Sequence, residues 1–238
     1  MPKSLDRILE RIEAAKLNKQ SPIVIFDIDD TIIDCRHRKL KVFQDFIKQE
    51  NISQNYSQQS EALAEASIED IHYRVHDCMN HLNIDDQKFI EELFEFWLAR
   101  YFTHDYLIQD KSFHGAEDFV KRCHSAGAHV VYLTGRDEPG MASGTHHMLE
   151  TLNFPWKVGG TSLILKPEAK LSDFDYKAEA LKKIKSMGTV VASLENELKN
   201  LNQMAVEFPG ALMFWRKTLF LPNPPEPHTA VEELLSFS

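Results

Sequence analysis

"IVIFDIDDTIID", residues 23–34, runs an apolar, β-branched segment straight into four carboxylates, Asp27, Asp29, Asp30 and Asp34. Pro22 bounds the run on its other side. The lack of polar alternation within it predicts a strand buried on both faces, as in a parallel sheet. Carboxylates this close repel one another, and burying one unpaired costs on the order of several kcal/mol. Either the acids lie on a solvated turn, or positive charge sits among them.

The rest of the chain supplies a sheet around this strand. Leu5, Ile8, Leu9, Ile12 and Leu17 predict an amphipathic helix over 4–17 that packs on the main domain. From residue 115 onward, strand-like runs alternate with helical ones. The strands are AHVVYLTGR (128–136), SLILK (162–166), TVVASLEN (189–196) and ALMFWRK (211–217). The helices between them include DFDYKAEALKKIKSM (173–187), with Gly188 past its end, and TAVEELLSF (229–237) reads as a short terminal helix. Such alternation implies an α/β fold, a doubly wound three-layer parallel sheet. Between roughly 40 and 108 the pattern is helical, with one long helix expected over 60–82. Another, over 84–102, is apolar nearly all round, so it is buried, or it faces a partner such as a second copy in a dimer, or a substrate cavity.

The composition narrows the class of function. The chain has 238 residues, 43% hydrophobic and 26% charged, with a formal net charge of −9. That balance is globular and argues against a nucleic-acid surface. Three dispersed cysteines without a C-x-x-C pair fit a reducing, cytoplasmic setting. The first twenty residues have no apolar core of a signal peptide, and no run is long enough to span a membrane. His72, His76 and His81 with Cys78 lack an HExxH frame and read as a solvated helix face.

In a doubly wound sheet, ligands bind beyond the carboxyl ends of the strands. FDIDDT, YLTGR, DYKAEALKKI and VASLENE follow in that order, and together they resemble the four motifs of the haloacid dehalogenase-like phosphohydrolases. The resemblance covers about 20–36 and 112–221. It implies a core of 1–36 and 109–238 and a helical cap inserted over 37–108. It further implies a Mg²⁺-dependent phosphatase acting on a small phosphate ester through an aspartyl-phosphate.

Phosphoryl transfer needs an in-line nucleophile and positive charge around the phosphate oxygens. Asp27, at the strand end, takes the nucleophile's role, and Asp29, two residues on, the acid/base role. Thr134, Gly135, Arg136 and Lys177 are the expected phosphate ligands. Lys177 is preferred over Lys166, Lys170, Lys182 and Lys183 because it lies in the first turn of its helix. Asp27, the backbone carbonyl of Asp29, Glu195 and Asn196 are the expected Mg²⁺ ligands. Glu195-Asn196-Glu197 departs from the family's usual pair of aspartates, and Asn200 is a further candidate there. Specificity is expected from His37, Arg38, Tyr73, Arg74 or Trp97. Three alternatives accompany this reading: a phosphotransferase or phosphomutase using the same aspartate, a polynucleotide-end phosphatase, which the acidic balance disfavours, and a non-catalytic binding protein of the same fold.

Overall fold

The computed structural model describes residues 3–237; residues 1, 2 and 238 of the expected core span lie outside it. Six parallel strands form the central sheet in the order β5-β4-β1-β6-β7-β8. They are β1 (Pro22–Phe26), β4 (His129–Asp137), β5 (Thr161–Lys166), β6 (Thr189–Glu195), β7 (Leu212–Arg216) and β8 (Val231–Leu234). A two-stranded antiparallel ribbon, β2 (Ile33–Asp34) with β3 (Lys111–Ser112), stands apart.

The uniform apolarity of β1 has a simple cause: it lies between β4 and β6 and is covered on both faces. Val24 and Phe26 enter one core, against α1 (Lys3–Leu17), α8 (Ala116–Ser125) and α9 (Glu138–Thr151). Ile23 and Ile25 enter the other, against α10 (Asp173–Met187) and α11 (Leu198–Glu207). Alternate residues thus serve opposite layers, the period-2 geometry of a strand. The result is the expected three-layer α/β architecture.

Residues 36–107 carry α2 (Arg36–Ile47), α3 (Glu50–Asn55), α4 (Ser57–Ala64), α5 (Val75–His81), α6 (Gln87–Tyr101) and α7 (His104–Leu107). They close a third apolar cluster that includes Phe43, Phe46, Leu63, Phe89 and Leu93. The chain leaves for this layer through β2 and returns through β3, so the two connections are paired with each other.

Three local expectations are corrected. TAVEELLSF is not a helix: Val231–Leu234 pair with Met213–Arg216 as the edge strand β8. Its exposed Glu232 and Glu233 meet Arg7 and Lys217, so tertiary pairing outweighs the local helix propensity. The long helix over 60–82 is broken. Asp70 Oδ2 accepts hydrogen bonds from both Ser67 N and Ser67 Oγ at 2.8 Å, restarting the chain as a 3₁₀ turn before α5. The 84–102 helix is one-sided: Phe89, Ile90 and Leu93 are buried, whereas Phe94 and Leu98 are exposed.

Candidate active site

The acidic stretch after β1 is a tight loop. The amides of Thr31, Ile32 and Ile33 all donate to the Ile28 carbonyl, and Asp30 takes a positive φ of 52°. Aspartate tolerates that left-handed conformation better than most residues. Strand β7 braces the loop from the side, since Arg216 donates to Thr31 O and Thr218 to Asp30 O.

Each acid here finds its own partner. Asp27 lies in the continuation of β1, its amide bonded to Leu194 O of β6. Lys177, in the second turn of α10, places Nζ 2.7 Å from Asp27 Oδ1 and 2.7 Å from Glu195 Oε2. Thr31 Oγ1 donates to Asp27 Oδ2 at 3.0 Å. Burial and the nearby Glu195 push Asp27 up to about 7, against the pull of Lys177. Burial alone would lower Lys177, but the two carboxylates override it and hold the ammonium charged. Asp34 pairs with Arg36 at 2.6 Å.

Asp29 sits in a different environment. Arg136, at the end of β4, donates from Nε to Asp29 Oδ2 at 2.9 Å and from Nη2 to Oδ1 at 2.8 Å. Arg38, from the first turn of α2, meets the same carboxylate. Both arginines also bind Asp110, through Arg38 Nε at 3.0 Å and Arg136 Nη2 at 2.7 Å. Two guanidinium groups and two carboxylates make a charge-neutral cluster. Burial favours the protonated acid at Asp29, but Arg136 and then Arg38 outweigh it and hold the carboxyl well below its usual range. Cys35 Sγ lies 2.7 Å from Asp29 Oδ1, and burial beside that charge pushes the thiol up, away from a reactive thiolate.

Asp27 and Asp29 open into one cavity of about 260 Å³ between the sheet end and the helical layer. Six carboxylates line it: Asp27, Asp29, Asp30, Asp173, Glu195 and Glu197. Four cationic side chains face them: Arg38, Lys39, Arg136 and Lys177. The excess of negative charge has room for a cation. The Asp27–Asn196 end fits a hard divalent one by its chemistry, since Asp27, Glu195 and Asn196 offer only oxygen. Asp27 Oδ2 and Asn196 Oδ1 converge on the same Thr31 hydroxyl, at 3.0 and 3.3 Å. Asp29, Cys35 and Asp110 also gather their ligand atoms within 4.8 Å, but the two arginines already neutralise that group.

The expected residues divide by position. Asp27, Asp29, Gly135, Arg136, Lys177, Glu195, Asn196 and Asn200 all line the cavity. Thr134 is fully buried, with Oγ1 accepting the Arg136 amide at 3.2 Å, and lies behind the cavity wall. Arg136, expected on phosphate, is committed to Asp29 and Asp110. Of the lysines weighed, Lys166 pairs with Asp173 at 2.6 Å, whereas Lys170, Lys182 and Lys183 are exposed. Among the specificity candidates, Arg38, Tyr73 and Trp97 line the cavity. Lys39 was not expected there, nor was Asp110 in the ion cluster beside the cavity. Asp110 has no motif signal, because only the returning chain brings it to Arg38. Glu197 was legible as the second acid after β6; its amide caps Glu195 Oε1 at 3.0 Å, and burial pushes its carboxyl up.

Comparison with known proteins follows this geometry. A family model described as haloacid dehalogenase-like hydrolase matches residues 22–193. No curated protein matches the chain. Among solved structures, a Clostridium difficile protein named as a candidate phosphatase has 14% identity and a TM-score of 0.58, over 90% of this chain and 95% of that one. The Mycobacterium tuberculosis Protein Tyrosine Kinase A has 13% identity and a TM-score of 0.52, over 91% and 95%. A haloacid dehalogenase-superfamily hydrolase of Geobacter sulfurreducens has 13% identity and a TM-score of 0.51, over 91% and 93%. At such identities these neighbours speak to the fold alone. Among the described residues no helix is long and apolar enough to cross a membrane. The family match spans well over half of the chain, from β1 into β6, and on that ground the chain belongs to the haloacid dehalogenase-like hydrolases.

Proposed function

We propose that this hydrolase is a Mg²⁺-dependent phosphomonoesterase that works through an aspartyl-phosphate on Asp27. One observation carries the reading: a carboxylate at the end of the central strand faces the cavity, held between the Lys177 ammonium and the Thr31 hydroxyl. An Asp27 oxygen attacks phosphorus, the P–O bond to the organic group breaks, and the phosphoryl group passes to the carboxylate. Lys177, already shared with Glu195, neutralises charge on the transferred group. Water then attacks phosphorus, releasing phosphate and restoring Asp27.

Asp29 serves the proton steps. The arginines hold it as the carboxylate, the form that takes a proton from the attacking water. Donation to the leaving oxygen requires the protonated form, and hence loosening of at least one arginine contact. Asp27, Glu195, Asn196 and the Asp29 carbonyl would hold a divalent cation, which when bound would neutralise charge on the phosphate.

Residues 37–108 act as a cap over the site. Their separate apolar cluster and their position across the cavity support this assignment. A covered cavity of this size suits a small phosphorylated metabolite. The test is release of inorganic phosphate from a panel of such esters, with Mg²⁺ and with chelator. Metal-dependent release supports the reading. Transfer to an added alcohol in place of water would move it to a phosphotransferase, and absence of any turnover across the panel would overturn it.

A further inference from the structure

The cavity has two chemically distinct ends. One is the charged end already described. The opposite wall is Tyr73, Trp97, Tyr101, Phe102 and Met141, with Lys39 beside it. Every residue of that wall except Met141 comes from the helical layer of 36–107. Trp97 is the hub, its ring centroid 4.9 Å from that of Tyr101 and 5.5 Å from that of Phe102. Arg38 stacks on Tyr101, its guanidinium carbon 4.2 Å from the ring centre. The wall is therefore braced and not a loose collection of side chains. Two of its rings remain open, Tyr73 at 36% exposure and Phe102 at 43%.

Few of its polar groups are open. Burial and the neighbouring Glu197 carboxylate hold the proton on the Tyr73 hydroxyl, and Trp97 Nε1 is the one buried donor of the wall without a partner. Lys39 Nζ donates to His72 O at 2.8 Å and Tyr73 O at 2.7 Å. Against this wall a sugar would find one open donor, Trp97 Nε1, for its several hydroxyls, and buried polar groups left unpaired weaken binding. A flat apolar ring loses nothing and gains ring contacts. The volume is below the ~300–1,000 Å³ of drug-sized ligand sites, which leaves room for a phosphate and about one ring.

We infer that the substrate is a phosphate monoester whose organic part carries a single planar aromatic ring, seated against the Tyr73–Trp97–Phe102 wall. This inference rests on the phosphatase reading above and deepens it. The test compares benzyl phosphate with cyclohexylmethyl phosphate, which share a primary alkoxide leaving group and differ in the flat ring. Binding of the two corresponding phosphonates, measured by calorimetry, supplies a readout that needs no turnover.

The expected result is a KM and Kd for the benzyl compounds lower by about two- to tenfold. That preference collapses in Phe102→Leu, which keeps an apolar side chain and removes the ring. It persists in Phe94→Leu, an exposed aromatic outside the cavity lining. Equal or reversed preference in the native protein overturns the inference, as does a preference untouched by Phe102→Leu. If neither ester is hydrolysed but the phosphonates still discriminate, the ring site stands and the phosphatase reading falls. If neither phosphonate binds, the inference is overturned.

Discussion

Arg38 Nε and Asp110 Oδ1 lie 3.0 Å apart, and neither side chain has any exposed surface. The pair joins the segment on which the chain leaves the core to the segment on which it returns. Both residues also contact Arg136 or Asp29, so the helical layer and the acid/base candidate share one ion cluster. The helical layer and Asp29 therefore share the same buried charge partners.

Removing one partner of such a cluster leaves uncompensated buried charge. Arg38→Met is expected to destabilise the fold by about 3–5 kcal/mol, lowering Tm by roughly 10 °C in a chain of this size. Arg38→Lys keeps the charge but not the two-pronged contact, and its loss is smaller. Thermal melts of the three proteins check the order; a native Tm for Arg38→Met would contradict the buried-pair account.

Turnover of Arg38→Lys should depend on the leaving group. Nitrophenolate departs without a proton, whereas an alkoxide needs one. If Arg38 positions Asp29 for that proton, rates with alkyl phosphates fall by about 10- to 100-fold while rates with nitrophenyl phosphate change little. Equal losses on both substrates would assign Arg38 a structural role only.

Gly188 ends α10 against β1. A Cβ at this position would press on the Ser21 carbonyl oxygen, which accepts the Thr189 amide at 2.8 Å. Backbone on both sides cannot yield as a side-chain tip can. Gly188→Ala is expected to cost about 1–3 kcal/mol by denaturant titration. At Gly135→Ala the nearest atoms to the new Cβ are those of the Asp173 carboxylate, a side-chain end, so its effect should appear at the cavity rim, in KM, with stability nearly unchanged.

His129 contributes a pH dependence. Its ring nitrogen lies 2.8 Å from Ser162 Oγ on the neighbouring strand, and burial, then His124, holds its pKa below the usual value. The folded state therefore resists protonation relative to the unfolded chain. Its stabilising effect is complete above about pH 6.5 and is lost as pH falls through the lower, folded-state value. Measured as the difference between the two proteins, the denaturation midpoint of the native protein should fall relative to that of His129→Gln as pH is lowered from about 8 to about 5.5.

Much of this was legible in the sequence because it is local. The all-apolar β1 and the β/α alternation follow from short-range periodicity, and the structure has them; Lys177 lies on the expected helix, in its second turn and not its first. The terminal segment 229–237 failed because Glu and Leu suit a helix until β7 offers an edge. The break after Ala64 failed because Ser67 and Asp70 were read as helix interior, not as a cap. Sequence reasoning assigned the positive charge among the acids to Lys177 and a metal. Lys177 is there, but Arg38 and Arg136 carry the charge at Asp29. That arrangement depends on Asp110, whose role comes only from chain topology.

The most direct test of the central claim is phosphate release by Asp27→Asn beside the native protein, each with Mg²⁺ and with circular dichroism to confirm the fold. The substitution keeps the side chain's shape and removes the nucleophile. The account predicts native turnover and a loss of at least about 10⁴-fold in the variant. A folded Asp27→Asn protein that releases phosphate at the native rate would contradict it.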